Sequence, residues 1–493
     1  MIEVKLNYNN FEYDIHSLIK SFFPEEDVNF VSKDETPKMV FWVNYEDGRI
    51  DMSVQNSEGQ TKAERTILLT DCADYEADRK KVKNKLKIGL YEMLSEVTGE
   101  ELPWGTLTGI RPVKIPYALL EENKSDEEIF AHMKSEYLAS DKKIELSIEI
   151  AKREKALLSK FDYRKGYSLY VGIPFCPTRC LYCSFTSYPL KVWEKRVDEY
   201  VDALCKEIEF VAKELKGKTL NSVYMGGGTP TTLLPYQMDK VLKTITENFD
   251  FEHCQEFTVE AGRPDSITRE KLEVLRKYGV ERISVNPQTM NQKTLDLIGR
   301  RHTVEDTVNA YNLARDCGFT NINMDLITGL LGETKEDMEY TMKEIAKLKP
   351  DSLTLHSLAL KRASILNERK ADFADYESTN TEEVSDMLQA YAREMGVEPY
   401  YLYRQKNMTG NLENVGYSAP GKAGVYNILI MEEKQSILAL GAGAVSKMIF
   451  SDGERIERID NVKDVGLYIE RIDEICNRKK QFFEEYTGEL LWD

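Results

Sequence analysis

Residues 170–185 read YVGIPFCPTRCLYCSF and place Cys176, Cys180 and Cys183 within eight positions. Thiolates are the soft ligands that iron–sulfur clusters require. A C-x-x-x-C-x-x-C loop can bind three corners of a four-iron, four-sulfide cluster from one side. Because the fourth iron then lacks a protein ligand, the spacing predicts a [4Fe–4S] cluster that chelates a small molecule rather than one that only stores electrons.

Two other uses of these cysteines remain open at this point. Three thiolates could hold zinc, but zinc sites usually join two C-x-x-C-like pairs or include nearby histidines. The nearest histidines, His132 and His253, are distant in the sequence. The cysteines could also be structural and buried, although clustered free thiols invite oxidation. The spacing favours the cluster.

Length and composition limit the classes of protein to which this chain can belong. The chain has 493 residues, 42% of them hydrophobic and 30% charged, which predicts two or three domains of a globular protein. We find neither a long apolar run typical of a transmembrane helix nor a signal peptide, so we expect a cytoplasmic protein that does not bind membranes. Eight scattered cysteines do not suggest a disulfide framework. A net charge of −18 argues against nucleic-acid binding.

Hydrophobic periodicity divides the chain into four regions. Strand-like runs with helices at 13–22 and 75–97 predict an N-terminal α+β domain of unassigned function. Helices at 126–138 and 140–160 predict a connector, and a charged helix at 461–485 ends a mostly helical C-terminal cap. The four predicted regions are 1–105, the α+β domain; 106–165, the connector; 166–374, a barrel; and 375–493, the cap.

The barrel region repeats short apolar strands, each followed by a helix-length amphipathic segment. Six such units predict a parallel sheet that is buried on both faces. We therefore predict an α/β protein whose main domain is a partial (β/α)6 barrel of the TIM type. The predicted strands lie at 168–174, 221–226, 256–260, 281–286, 322–327 and 352–358.

Polar motifs follow these strands where a barrel places its reactive residues, at the C-terminal ends. The cysteine loop follows the first strand, a glycine run the second, Glu260 the third, Gln288 the fourth and Asp325 the fifth. The glycines at 226–228 have no Cβ, so a ligand can approach their backbone N–H groups. A tight turn from strand to helix is the alternative explanation for a glycine run.

The motifs resemble those of radical S-adenosylmethionine (SAM) enzymes. From about 170 to 446 the chain resembles the oxygen-independent coproporphyrinogen III oxidases (dehydrogenases) of the HemZ type, which have a long N-terminal extension. The motifs that carry this resemblance, in order, are MGGGTPT at 225–231, VEAGRPD at 259–265, SVNPQTMN at 284–291, GRRH at 299–302 and NMDLITGL at 323–330.

The resemblance implies one [4Fe–4S] cluster on the three cysteines and one or two molecules of SAM. It assigns Tyr170 and Glu260 to catalysis and to the cluster-bound SAM, together with Gly227. Arg300 suits a carboxylate and Asp325 an ammonium or hydroxyl group, although Asp325 could instead cap its strand and Arg300 could be a surface charge. The contacts implied for a second SAM are Tyr182, Gly228, Thr229, Gln288, Arg300, Asp325 and Ala359.

The resemblance also implies a function. It predicts an oxidoreductase of haem biosynthesis that uses a 5′-deoxyadenosyl radical to decarboxylate two propionates of coproporphyrinogen III, yielding protoporphyrinogen IX without oxygen. The predicted partners are the tetrapyrrole substrate and a flavodoxin- or ferredoxin-type electron donor, and the predicted oligomeric state is a monomer.

Two positions depart from the decarboxylase pattern. Phe185 replaces a further cysteine, and Gly172 replaces a histidine; both departures resemble the haem-chaperone branch of the family. That branch carries an H-N-x-x-Y-W haem motif, where this chain reads YNILIM at 426–431. A haem carrier and a radical SAM enzyme with another substrate therefore remain the alternatives.

A substrate with four carboxylates needs cations near the barrel mouth, because the net charge of the protein repels it. Lys361 and Arg362 follow the sixth predicted strand, and Arg263 follows the third. We expect these three side chains to anchor propionates. Solvated loop charges are the alternative.

Overall fold

A computed structural model describes residues 1–32, 35–70, 72, 77–109, 111–359, 361, 363–373, 376, 379–405 and 408–492. The chain forms two compact units, Met1–Lys152 with Arg404–Leu412, and Arg153–Tyr403 with Glu413–Asp493. The predicted boundaries after residues 105 and 165 do not coincide with this division. None of the described helices is long and apolar enough to cross a membrane.

The described residues of the first unit form five strands and the helices that accompany them. The strands are β1 (Ile2–Leu6), β2 (Val28–Asn29), β3 (Met39–Glu46), β4 (Arg49–Asn56) and β5 (Thr61–Leu68). The helices are α1 (Glu12–Phe22), α2 (Arg79–Thr98), α3 (Lys114–Glu121), α4 (Asp126–Tyr137) and α5 (Asp141–Leu158), the last of which continues into the second unit.

The strands of the first unit form one sheet in the order β2-β1-β3-β4-β5. Apolar residues of α1 and α2, among them Leu18 and Leu90, share its core. The α+β character of this region is confirmed, although the predicted start of α2 at residue 75 lies outside the described residues. The sequence did not predict β5, because its TKAERTIL pattern buries only Ala63.

The second unit contains the remaining elements. Its strands are β6 (Gly166–Ile173), β7 (Phe175–Cys176), β8 (Tyr188–Pro189), β9 (Thr219–Gly227), β10 (Glu256–Gly262), β11 (Arg282–Val285), β12 (Ile322–Thr328), β13 (Ser352–Ser357), β14 (Glu398–Tyr403), β15 (Asn414–Ser418), β16 (Ser436–Leu440), β17 (Val445–Ile449) and β18 (Ile456–Asp460). Its helices are α6 (Leu190–Trp193), α7 (Val197–Glu214), α8 (Pro235–Asn248), α9 (Arg269–Lys277), α10 (Gln292–Leu297), α11 (Val304–Asp316), α12 (Lys335–Leu348), α13 (Ile365–Glu368), α14 (Glu382–Glu394), α15 (Val425–Glu432), α16 (Val465–Glu470) and α17 (Ile472–Glu485).

Six parallel strands, β6-β9-β10-β11-β12-β13, form the centre of this unit. They are the six predicted strands, and their ends differ from the predicted ends by at most two residues. Their side chains are almost all buried, as in a sheet covered on both faces. The chain is thus an α/β protein with the predicted (β/α)6 arrangement.

The C-terminal region differs from the predicted cap because it also contributes strands to the central sheet. β15 and β14 extend the sheet beyond β13, and β16, β17 and β18 extend it beyond β6. The short apolar run SILAL of β16 pairs in parallel with β6. The expected helical character is present in α14 to α17, but the charged helix predicted at 461–485 is two helices that meet at Arg471.

A buried ion pair stabilises the packing near the C-terminal end of β6. Lys479 of α17 and Glu207 of α7 lie 2.9 Å apart, and both are fully buried. The Glu207 carboxylate also accepts the backbone N–H of Gly441 at 2.9 Å. Beside it, the Tyr200 hydroxyl donates to the Gly172 carbonyl at 2.6 Å. These contacts hold the residues that follow β16 against the C-terminal end of β6, where the cysteine loop begins.

Candidate active site

The three cysteines lie in the loop that follows β6. Cys180 is buried, Cys176 and Cys183 are half-buried, and all three are free thiols. The Cys183 N–H donates to the Cys180 carbonyl at 3.2 Å, which closes a turn between these ligands. The Cys176 sulfur lies 3.5 Å from the Thr229 hydroxyl, at the end of the neighbouring strand β9. The loop therefore stands at the C-terminal end of the barrel, as predicted.

Two neighbouring segments hold this loop through backbone contacts. The Leu181 N–H donates to the Ile298 carbonyl at 3.1 Å, and the Leu181 carbonyl accepts the Leu366 N–H at 2.9 Å. The Thr178 hydroxyl donates to the Gly299 carbonyl at 3.2 Å. Because the loop is tied on both sides, its three thiols are held in place by the fold.

The donor set fits an iron–sulfur cluster better than a single ion. Among the described residues, no three Cys, His, Asp or Glu side chains converge closely enough to bind one ion. A four-iron cluster is wider than one ion, so its ligands stand farther apart. Burial raises the pKa of Cys176 to about 11 and that of Cys183 above its usual value. Nearby irons would reverse this effect, since a metal stabilises the thiolate.

The end of the glycine run packs closely against the cysteine loop. The Gly228 N–H donates to the Ile173 carbonyl, and the Thr229 N–H to the Phe175 carbonyl, each at 2.7 Å. A Cβ on Gly228 would lie 2.5 Å from the Phe175 oxygen. These N–H groups are therefore used within the protein, and Gly228 allows the end of β9 to approach the cysteine loop closely. The contacts of Gly227, Gly228 and Thr229 with SAM stay predictions.

Gly228→Ala tests this close approach. We expect the variant to lose about 1 to 2 kcal/mol of unfolding free energy, because the new methyl group overlaps backbone that cannot move independently. Gly109→Ala is the matched control, since a Cβ there meets nothing within 4 Å. Denaturant unfolding of both variants measures the difference. Equal stability of the two would contradict the assigned role of Gly228.

Glu260 lies at the end of β10 with its carboxyl half-buried in the barrel. The Tyr224 hydroxyl donates to it, and a Cβ on Gly226 would come within 3.0 Å of its Oε2. Burial raises the pKa of Glu260 to about 7; the charge of Asp325 adds to this rise and the Tyr224 hydrogen bond opposes it. At neutral pH, Glu260 is therefore poised between its charged and neutral forms.

Three stacked tyrosines adjoin Glu260. The ring centroids of Tyr224 and Tyr426 are 4.5 Å apart, and those of Tyr170 and Tyr224 are 6.4 Å apart. The Tyr426 N–H donates to the Glu256 carboxylate at 3.0 Å. Burial raises the pKa of Tyr170, so its hydroxyl stays protonated. The stack supplies a rigid apolar wall beside the carboxyl group.

Asp325 forms the second polar group of the barrel mouth. Its Oδ1 accepts from Asn323 Nδ2 at 2.7 Å and lies 3.8 Å from His356 Nε2. Burial opposes ionisation, but the hydrogen bond and charge of His356 outweigh it and lower the Asp325 pKa. The Tyr403 hydroxyl lies 3.3 Å from His356 Nδ1 and orients the ring. Asp325 is thus an ionised acceptor suited to an ammonium or hydroxyl group.

Arg300 reaches the cysteine loop from the segment after β11. It is 5% exposed and donates to the Asn286 carbonyl. Its guanidinium also contacts Tyr182 and Cys180. Its Nε and the Asn286 Oδ1 are buried without hydrogen-bond partners in the described part of the chain. Such atoms are costly unless a ligand or water satisfies them.

Gln288 adds a third buried atom of this kind, its Oε1. Its backbone is left-handed, with φ of 70°. Two hydrogen bonds to β12 hold it there: the Gln288 N–H donates to the Asp325 carbonyl, and its own carbonyl accepts from Ile327, both at 2.9 Å. A strained residue with an unsatisfied amide next to Asp325 is consistent with ligand binding. The SAM contacts of Gln288 and Arg300 stay predictions.

The predicted propionate anchors have different surroundings. Arg263 is buried and pairs with both oxygens of Asp265, at 2.9 and 2.6 Å. Its Nη1 donates to the Thr178 hydroxyl at 2.7 Å. The structure therefore does not favour Arg263 as an anchor, since its guanidinium already ties the cysteine loop to β10. Lys361 is half-buried near Cys183, and burial lowers its pKa. Arg362 lies outside the described residues.

The sequence did not single out Tyr224, His356 and Tyr426. Tyr224 and His356 lie near the C-terminal ends of β9 and β13, where a barrel places its reactive residues, and this position is a signal that could have identified them. Tyr426 lies on α15, far along the chain, and only tertiary contact places it beside Tyr224. Ala359, predicted to touch SAM, is half-buried in the segment that follows β13.

A (β/α)6 barrel with a three-cysteine loop after its first strand defines the radical SAM class, and the chain matches the radical SAM superfamily over residues 170–345. It is 43% identical over 413 residues to the oxygen-independent coproporphyrinogen-III oxidase-like protein HemZ of Bacillus subtilis, covering 82% of each chain. The chain belongs to this family of oxygen-independent coproporphyrinogen III oxidase-like radical SAM proteins. Membership implies a [4Fe–4S] cluster and SAM.

Two further relatives have different activities. The solved structure of Escherichia coli coproporphyrinogen III oxidase (HemN), a radical SAM enzyme, matches with a TM-score of 0.51 and 26% identity, over 65% of this chain and 72% of that one. The heme chaperone HemW of Bacillus subtilis is 34% identical over 199 residues, 40% of this chain and 52% of the relative. The family therefore includes both oxidases and chaperones.

Proposed function

We propose that this protein decarboxylates two propionates of coproporphyrinogen III oxidatively, without oxygen, to form protoporphyrinogen IX. The observation that carries the proposal is the convergence of the three-thiol loop with Glu260, Arg300 and Asp325 at one end of the barrel. We further propose that the protein is a cytoplasmic monomer that binds a tetrapyrrole substrate and receives electrons from a flavodoxin- or ferredoxin-type donor.

When bound, the reduced cluster and SAM supply a 5′-deoxyadenosyl radical for removal of a hydrogen β to the carboxylate, after which CO₂ leaves and a one-electron acceptor takes the remaining electron. Glu260 accepts hydrogen bonds from ribose hydroxyls, and Arg300 and Asp325 bind carboxylate and ammonium groups. The stack of Tyr170, Tyr224 and Tyr426 closes the barrel beside Glu260 and excludes water from it.

The segment at 426–431 favours the enzyme over a haem carrier. Tyr426, at the position of the chaperone motif's histidine, is 3% exposed and stacked inside the barrel. Asn427 Nδ2 donates to the Tyr400 hydroxyl at 3.2 Å. A haem iron could not reach Tyr426 without opening this packing.

A radical SAM enzyme with another substrate is the second candidate, and Gly172 favours it. A Cβ at this position would lie 3.2 Å from the Leu440 carbonyl of β16 and 3.4 Å from the ring of Tyr170. The histidine of the decarboxylases would crowd both groups here, so the surroundings of the substrate differ from theirs at this point.

Anaerobic incubation of the reconstituted protein with SAM, dithionite and coproporphyrinogen III, followed by product chromatography, tests the proposal. We expect protoporphyrinogen IX and 5′-deoxyadenosine to form together. SAM cleavage that does not respond to the porphyrinogen would identify the second candidate. Stoichiometric haem binding without SAM turnover would identify a carrier instead.

A further inference from the structure

An open hollow of about 530 Å³ lies on the solvent side of the cysteine loop. We call it the arginine hollow, and the residues that line it are Thr178, Arg179, Asp296, Gly299, Arg300 and Arg301. Three arginines face one aspartate there, in a protein of net charge −18. The net negative charge of the protein repels anions, but the positive charge of the arginine hollow attracts them locally.

The three arginines of the hollow differ in their exposure to solvent. Arg300 is 5% exposed, so its guanidinium contributes positive charge to the hollow but little surface. Arg179 is half-buried, and its Nη2 donates to the Ala363 carbonyl. Arg301 is exposed. An exposed guanidinium is a common receptor for carboxylates.

Two lining residues of the hollow adjoin a predicted cluster ligand. Arg179 precedes Cys180 in the chain, and the buried Arg300 contacts the Cys180 side chain. The same loop exposes Phe185, of which 66% is accessible. Aromatic residues and arginines are enriched at protein-docking surfaces, and this loop carries both an exposed phenylalanine and Arg179. A small carboxylate would have no use for Phe185 at the surface.

We propose that the arginine hollow and Phe185 form the docking surface for an acidic one-electron carrier protein, which delivers its electron to the cluster through Cys180. In each transfer, the carrier is oxidised by one electron and the cluster is reduced by one. The proposal rests on the proposed function only in requiring a cluster that must be reduced. Carboxylates of the carrier would pair with Arg179 and Arg301, and its apolar rim would cover Phe185.

Titration of the anaerobically reconstituted protein with oxidised flavodoxin, followed by flavin fluorescence, tests the proposal. We expect Arg301→Glu to weaken binding about three- to tenfold at low salt, and high salt to reduce the difference. Phe185→Ser should weaken binding at both salt concentrations. Lys216→Glu is the matched control, because it makes the same change of charge at the opposite end of the barrel strands. Lys216 lies between α7 and β9. We expect this variant to bind flavodoxin as the wild type does.

The rate of SAM cleavage separates docking from chemistry. With reduced flavodoxin as the donor, Arg301→Glu should cleave SAM more slowly than the wild type. With dithionite, which needs no docking surface, the two should be equal. These results would support the proposal even if coproporphyrinogen III proved not to be the substrate.

Two outcomes would overturn the proposal. One is wild-type flavodoxin affinity in both Arg301→Glu and Phe185→Ser. The other is weakened binding of coproporphyrinogen III by Arg301→Glu while flavodoxin binding is unchanged, which would assign the hollow to substrate carboxylates.

Discussion

Cys180→Ala abolishes both the absorbance of the iron–sulfur cluster and the cleavage of SAM. We expect this complete loss because Cys180 is the central ligand of the loop, is buried and contacts Arg300. With two thiolates left, the cluster loses one of its three protein ligands. Iron and sulfide analysis after anaerobic reconstitution, with SAM cleavage on the same sample, measures both effects.

Cysteines outside the loop provide the control. Cys254 and Cys317 are both half-buried and free, and neither lies near the loop in the sequence. We expect Cys254→Ala and Cys317→Ala to keep the cluster. Wild-type protein that takes up stoichiometric zinc and no iron would contradict the assignment of the three thiols.

We expect Glu260→Ala to raise the apparent dissociation constant for SAM by one to two orders of magnitude and to leave the cluster in place. A carboxylate that accepts hydrogen bonds from ribose hydroxyls contributes about 1.5 to 3 kcal/mol. The cluster should persist because Glu260 lies on β10 and is not one of the three thiol ligands. Equilibrium SAM binding and iron content of the variant test this. Unchanged affinity for SAM would assign Glu260 to the scaffold.

The pH dependence of SAM binding follows from the pKa of Glu260, about 7. Above this pH the group is a carboxylate and accepts two hydrogen bonds; below it the group is protonated and accepts fewer. We therefore expect the SAM affinity of the wild type to fall as the pH drops through about 7. Glu260→Gln cannot ionise, so its affinity should not change across this range. A wild-type affinity that is flat between pH 6 and 8 would contradict the role of the carboxylate.

The sequence predicts the barrel well because its strands are buried on both faces. Their apolar runs stand out against amphipathic helices, and the polar residues at their ends, such as Glu260 and Asp325, fall at one end of the sheet for topological reasons. The same logic fails for β14 to β18. These strands join the sheet from distant segments, and short runs such as SILAL do not reveal their pairing partners.

Side-chain partners are harder to predict than positions. Arg263 follows the third strand as expected, but Asp265, two residues later, and Thr178 in the cysteine loop occupy its guanidinium. The glycine run likewise suggests a ligand cradle, whereas Gly228 donates its N–H to β6. Both outcomes depend on tertiary contacts that no local pattern encodes.

Isotope transfer tests the central claim most directly. Coproporphyrinogen III deuterated at the β-carbons of its propionates is incubated anaerobically with the reconstituted protein, SAM and a reductant, and the 5′-deoxyadenosine is analysed by mass spectrometry. We expect deuterium to appear in 5′-deoxyadenosine together with the vinyl-bearing product. If 5′-deoxyadenosine forms without deuterium while the porphyrinogen is recovered intact, the assigned substrate is wrong.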